Sequence, residues 1–233
     1  METWIEWGRG PIFRFAFAFM VLGLLRHAGI ACFEIGRALW RAGDKSVPVL
    51  AIGKTTLSWL FPVNKIGTRP LFSVTTIMFH LAILITPVFL AGHIALWKRG
   101  TGQSWPSIPN SMADFLTILA LASIVAVVIQ RMLGRDTRVI SRFQDYAIPL
   151  LIAVPFSSGH LLMHPASNPF SFDATMLVHV MSANLVFVLI PITKLSHCIL
   201  LPTTQLVSEV GWHFPPKSGS EVGLLLGKEN EQI

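Results

Sequence analysis

The chain has 233 residues, 52% of them hydrophobic and 13% charged, with a mean hydropathy of +0.61. That is too apolar for a soluble domain of this length, so the net charge of +6 is read as a signal of membrane orientation and not of a nucleic-acid partner. The two cysteines, Cys32 and Cys198, form no C-x-x-C pair and no C-x-x-C-H occurs, which excludes covalently attached c-type haem and a cysteine-ligated iron–sulfur cluster within this chain.

A span needs about 20 largely apolar residues, and hydropathy gives five: Pro11 to Phe33, Leu71 to Trp97, Ala113 to Leu133, Tyr146 to His164, and Ala174 to Leu201. The fold class expected is an all-α integral membrane bundle of five transmembrane helices. Met1 to Gly10, with Trp4 and Trp7, reads as a short amphipathic segment at the membrane boundary. Arg14 and Arg26 bracket the apolar core of the first span, which is too long and interrupted for a removable signal. Glu34 to Leu60 reads as a basic interfacial segment, broken by Pro62 and Gly67 before the second span. Gly102, Pro106 and Pro109 predict an irregular loop over Gly100 to Asn110. Two domains are expected: a membrane domain over 1–201 and a polar, partner-docking tail over 202–233 that contains Pro215 and Pro216. The spans leave no room for a separate soluble catalytic domain.

Basic residues set the orientation. Arg37, Arg41, Lys45, Lys54, Lys65 and Arg69 lie between the first and second spans, and Arg135, Arg138 and Arg142, close to Arg131, between the third and fourth. The loop from Lys98 to Met112 carries only Lys98 and Arg99. The positive-inside rule then puts the amino terminus outside and the carboxyl terminus inside.

Of the eight histidines, His80 and His93 fall in the second expected helix and His179 and His197 in the fifth. Neutral imidazole is a good iron ligand, and two of them fill both axial positions of a haem, which suits electron transfer. The 18 residues from His179 to His197 make five helical turns, about 27 Å, with both rings on one face. Helices two and five run antiparallel, so His80 is expected to pair with His197 and His93 with His179, giving two b haems near opposite membrane surfaces. The 13 residues from His80 to His93 put those rings on different faces of a straight helix, and the intervening Pro87 predicts a kink that realigns them.

The stretches FHLAILITPVFLAGH, from Phe79 to His93, and LVHVMSANLVFVLIPITKLSH, from Leu177 to His197, together with the five-span layout, resemble the gamma subunit of respiratory nitrate reductase. The wider likeness is to the membrane cytochrome b subunits of sulfite-reduction-associated and heterodisulfide-reductase-like redox complexes, because the histidine interval in helix two is longer than in the nitrate reductase subunit. The resemblance implies that His80, His93, His179 and His197 ligate two b haems, and that menaquinone or ubiquinone binds beside the outer one. Quinone candidates are Gly92, Lys98, His160 and His164, although Gly92 also suits close helix packing and Lys98 an interfacial anchor. Candidates to pair with haem propionates are Arg26, Arg69 and Lys194.

The function expected is quinol oxidation near the outer haem, with electrons passing inward to a cytoplasmic iron–sulfur subunit in a bacterial or archaeal cytoplasmic membrane. A periplasmic multihaem cytochrome is the other partner considered, and the same parts serve the reverse direction. The rival readings are a histidine-based proton- or metal-coupled transporter and a haem-free anchor. The transporter calls for acidic residues within the spans, where only Asp114 and Asp173 occur, near helix starts that capping accounts for.

Overall fold

A computed structural model describes residues 1–41, 49–60, 66–211 and 218–228. Among these the chain is all helical: α1 (Glu2–Trp7), α2 (Phe13–Arg41), α3 (Val49–Leu60), α4 (Pro70–Phe89), α5 (Ala91–Thr101), α6 (Asn110–Leu133), α7 (Arg135–Ile140), α8 (Phe143–Met163), α9 (Phe172–Leu189), α10 (His197–Gly211) and α11 (Ser218–Leu225). Five helical stretches are long and apolar enough to cross a membrane, namely Glu2–Trp40, Pro70–Phe89, Asn110–Leu133, Phe143–Met163 and Phe172–Ile192. The chain has the pattern of a multi-pass membrane protein.

Burial runs opposite to that of a soluble bundle. Many of the side chains sealed inside are small or polar, among them Ser73, Ala82, Thr117, Ala120, Ser123 and Asn184 beside a few aliphatics such as Ile124, whereas Phe15, Leu22, Ile118, Val125 and Leu150 are each more than half exposed. Lipid tails solvate Leu as well as a neighbouring helix would, so packing in a bilayer selects small residues that let backbones approach and polar ones that bond across helices. An outward apolar surface is thus where the hydrocarbon belongs.

The chain divides into two compact units. The first comprises residues 1–19 and 65–189. In it α4 packs on α6, α6 on α8 and α8 on α9, while α1 and the π-helical turn Gly8–Ile12 pack on α9. Pro11 has no amide hydrogen to donate, which accounts for the irregular turn around it. Gly8 admits the Val180 side chain, which would lie 2.6 Å from a Cβ at that position, and the Gly8 carbonyl accepts a 2.9 Å bond from buried Asn184 Nδ2. One end of the unit is tied by Gln130 Nε2 donating to Thr75 Oγ1 at 2.9 Å and by the Arg131–Asp145 ion pair at 3.3 Å. At the other end α4 and α8 finish and α6 and α9 begin. There the irregular loop after Gly102, whose φ of 76° closes α5 as only glycine does readily, is fastened to the end of α4. Trp105 Nε1 donates to the Val88 carbonyl and Ile108 N to the Phe89 carbonyl.

The second unit comprises residues 20–64 and 190–233, with α3 packed on α10. His27 Nε2 donates to the Pro191 carbonyl at 2.8 Å, and a Cβ at Gly23 would collide with the buried Pro191 ring. A proline ring cannot rotate aside. Gly23→Ala is therefore expected to lower stability by about 1–3 kcal/mol through overpacking, despite a helix-propensity gain of up to ~1 kcal/mol. Gly29→Ala, on the same helix with nothing within 4 Å of the added Cβ, is expected to be neutral or stabilising. Thermal unfolding of the full chain in detergent distinguishes the two.

Four sequence expectations are revised. The first helix does not stop at Phe33 but continues to Arg41, its extension carrying a Glu34–Arg37 ion pair at 3.2 Å. The second expected span is two helices, because Leu90 is extended (φ −73°, ψ 129°) between α4 and α5. The fifth is interrupted after Leu189 by 3-10 turns at Ile190–Ile192 and Lys194–Ser196. The boundary between residues 201 and 202 falls inside α10, which accommodates Pro202. Lys45, Pro62, Lys65, Pro215 and Pro216 lie outside the described residues.

Candidate functional site

The break at Leu90 frees carbonyls at the end of α4. His93 on α5 reaches back to one of them: its Nδ1 donates to the Pro87 carbonyl at 2.8 Å. On α9, His179 Nδ1 donates to the Pro155 carbonyl of α8 at 2.9 Å. In a neutral imidazole a proton on Nδ1 leaves the Nε2 lone pair available, the tautomer a metal ligand needs. The two rings lie 6.0 Å apart between centroids with planes 16° from parallel. The structure thus brings His93 and His179 side by side, each with Nε2 left as the lone-pair nitrogen.

Gly159 of α8 lies against this pair. A Cβ there would stand 3.1 Å from His179 Cε1 and 3.3 Å from its Nδ1, so any side chain presses on the imidazole. An aromatic group gathers residues from the start of α2, from α5 and from α9. Trp97, one turn after His93, meets Phe17 edge-on at 4.8 Å and Phe13 at 5.8 Å, and Phe187 of α9 lies 6.0 Å from each phenyl ring.

His80 and His197 each carry an Nδ1 bond to a backbone carbonyl: His80 to Thr76 at 2.8 Å within α4, and His197 to Lys194 at 2.9 Å. His80 belongs to the first unit and His197 to the second. The expectation that His179 and His197 project from one face of a continuous helix is overturned. Pro191 cannot donate to the carbonyl one turn back, and Thr193 is extended, with its side chain accepting from Leu195 N, so His197 starts a new helix.

The remaining candidates are placed as follows. Gly92 is exposed and a Cβ there would meet nothing within 4 Å, so close helix packing does not account for it. Lys98 is exposed in the last turn of α5. Arg26 and Lys194 are exposed in the second unit, and Arg69, preceding α4, lies 3.7 Å from Asp136 with both groups largely in solvent. His160 and His164 come together at the end of α8, ring centroids 4.3 Å apart, beside a residue the sequence reading had set aside. Asp114 is not a cap. Pro109 precedes α6 and Asp114 lies in its second turn, with Oδ1 3.8 Å from His160 Nδ1 and Oδ2 3.5 Å from His164 Nε2.

Over 179 residues, covering 74% of this chain and 77% of the relative, the sequence is 32% identical to a protein of Nitratidesulfovibrio vulgaris described simply as "Protein". The chain belongs to that protein's family. No protein-family model matches the chain, and no solved structure matches it. Sequence reading missed Gly159 and the part Asp114 plays beside His160 and His164. The signal for Asp114 was its position past the first turn after Pro109, beyond the reach of a cap.

Proposed function

We propose that the chain is a dihaem cytochrome b subunit that exchanges electrons between membrane quinone and a protein partner, similar to the nitrate reductase gamma subunit and its wider relatives. The observation that carries this reading is the near-parallel His93 and His179 pair, with centroids 6.0 Å apart and each Nδ1 committed to a carbonyl. A bound haem supplies reversible one-electron chemistry. His93 and His179 would hold the haem iron through their Nε2 atoms. The Pro87 and Pro155 carbonyls hold the two rings in the ligating tautomer.

His80 and His197, with the same Nδ1 arrangement, are proposed as the second pair. Arg26, Arg69 and Lys194 are the proposed propionate partners. The positive-inside rule supports an outside amino terminus and an inside carboxyl terminus, and the resemblance to respiratory cytochrome b subunits supports a bacterial or archaeal cytoplasmic membrane. In that orientation His93 and His179 lie toward the outer surface, and Gly92, Lys98, His160 and His164 are the residues proposed to receive menaquinol or ubiquinol. The segment from residue 202 onward would dock a cytoplasmic iron–sulfur subunit, with a periplasmic multihaem cytochrome as the alternative partner.

The test is a reduced-minus-oxidised optical spectrum and a haem assay on the purified full chain. About two b haems per chain is the expected result. Well-folded protein without haem overturns the reading and leaves a histidine-based proton- or metal-coupled transporter in its place.

A further inference from the structure

Asp114, His160 and His164 bring a carboxylate and two imidazoles to one point at the end of the first unit where α8 finishes and α6 begins. One ligand atom from each residue lies within 4.8 Å of the other two. The histidines stand four apart on α8, and so share a helix face, while the aspartate comes from the neighbouring helix α6.

Hydrogen bonding within the protein does not explain the cluster. His160 Nδ1 is buried and has no hydrogen-bond partner. Its distance of 3.8 Å to Asp114 Oδ1 is within reach of a charge pair but too long for a hydrogen bond. A buried polar atom without a partner calls for a physical reason. His164 is prepared differently: its Nδ1 donates to the His160 carbonyl at 3.0 Å, which leaves Nε2, 3.5 Å from Asp114 Oδ2, as the lone-pair nitrogen. A carbonyl bond of this kind fixes the tautomer and orientation of a metal-ligating histidine.

We propose that Asp114, His160 and His164 form a site for a divalent transition-metal cation of the zinc class. Bonds of about 2 Å in a tetrahedral shell put neighbouring ligand atoms roughly 3.3 Å apart. The nearest approaches to Asp114, 3.8 Å from Oδ1 to His160 Nδ1 and 3.5 Å from Oδ2 to His164 Nε2, are close to that value, and with one ligand atom per residue all three lie within 4.8 Å of one another, so a cation would draw the side chains inward. Two imidazole nitrogens select against magnesium and calcium, which take oxygen ligands. Three protein ligands leave a fourth position open, and the three side chains are each about one third exposed, so a cation can arrive from solvent. With both imidazoles on the cation, Gly92 and Lys98 remain as the quinone candidates. The inference does not rest on the haem reading.

Equilibrium dialysis of the full chain in detergent against Zn²⁺, with excess Mg²⁺ present, tests the site. The expected result is one Zn²⁺ per chain above the background of the Asp114→Asn and His164→Ala variants, each binding at least tenfold more weakly. Asp114→Asn preserves shape, and its thermal unfolding without metal checks that it is folded. His93→Ala is expected to keep the Zn²⁺, which separates this site from the proposed haem ligands. Equal Zn²⁺ binding by wild type and both cluster variants, or displacement by Mg²⁺, overturns the proposal.

Discussion

Replacing His179 by alanine is expected to remove one b haem of two while leaving the chain folded in its membrane. His179 is held from two sides, by the Pro155 carbonyl and by the facing His93 ring, and no other described histidine is shown within stacking range of that pair. Loss of a residue that only supports a metal ligand costs about 10–100-fold in affinity, and loss of the ligand itself is expected to exceed that. The pairing gives the test its sharpness. His93→Ala and His179→Ala act on one iron, so each single variant and the double variant should lose the same haem, a strongly non-additive outcome. Haem content and the redox titration of the reduced-minus-oxidised spectrum measure it. If the two variants lose different haems, so that the double variant has none, then His93 and His179 are not partners. If neither loses haem, the ring pair is a packing feature.

The spans were legible because hydropathy is a property of side chains averaged over about 20 residues, and the starts and stops of α6 and α8 fall within three residues of the expected ones. Breaks inside apolar sequence were harder to see. Ile190, Pro191 and Ile192 keep the average high while Pro191 removes an amide donor, so the sequence reads as a five-turn helix across a point where the α-helix gives way to 3-10 turns. Pro87 was weighed and Pro191 was not, although both stand in the same kind of surroundings. The break near Pro87 turned out to lie three residues later, at Leu90. Asp114 shows a second limit. Position along α6 is readable from sequence, whereas its neighbours His160 and His164 arrive from a helix more than forty residues away, and periodicity carries no information about which helices pack together. The proximity of the His93 and His179 rings was legible because antiparallel helices bring the late residue of one to the early residue of the other, a rule that survives local breaks.

Gly159 offers a test that leaves every proposed ligand in place. In Gly159→Ala the new methyl carbon would stand 3.1 Å from His179 Cε1 and 3.3 Å from Nδ1, closer than the roughly 3.5–4.0 Å at which carbon atoms pack best. The ring must give by a few tenths of an ångström. It cannot do so freely, because the Pro155 carbonyl that holds its Nδ1 belongs to the same helix as the intruding methyl. Alanine meanwhile favours the helix by about 0.8–1.0 kcal/mol over glycine, so net stability is expected to change by no more than ~1 kcal/mol. The proposed haem should respond far more, with altered low-spin EPR g-values and a shifted midpoint potential for the haem held by His93 and His179. In Gly159→Leu the bulk has no such latitude, and that haem is expected to be lost. If Gly159 serves only helix packing, both variants change thermal stability alone and leave the EPR signal where it was. A moved signal at unchanged haem content, by contrast, would place α8 directly behind the His179 imidazole and make Gly159 a positioning residue for the electron-transfer centre.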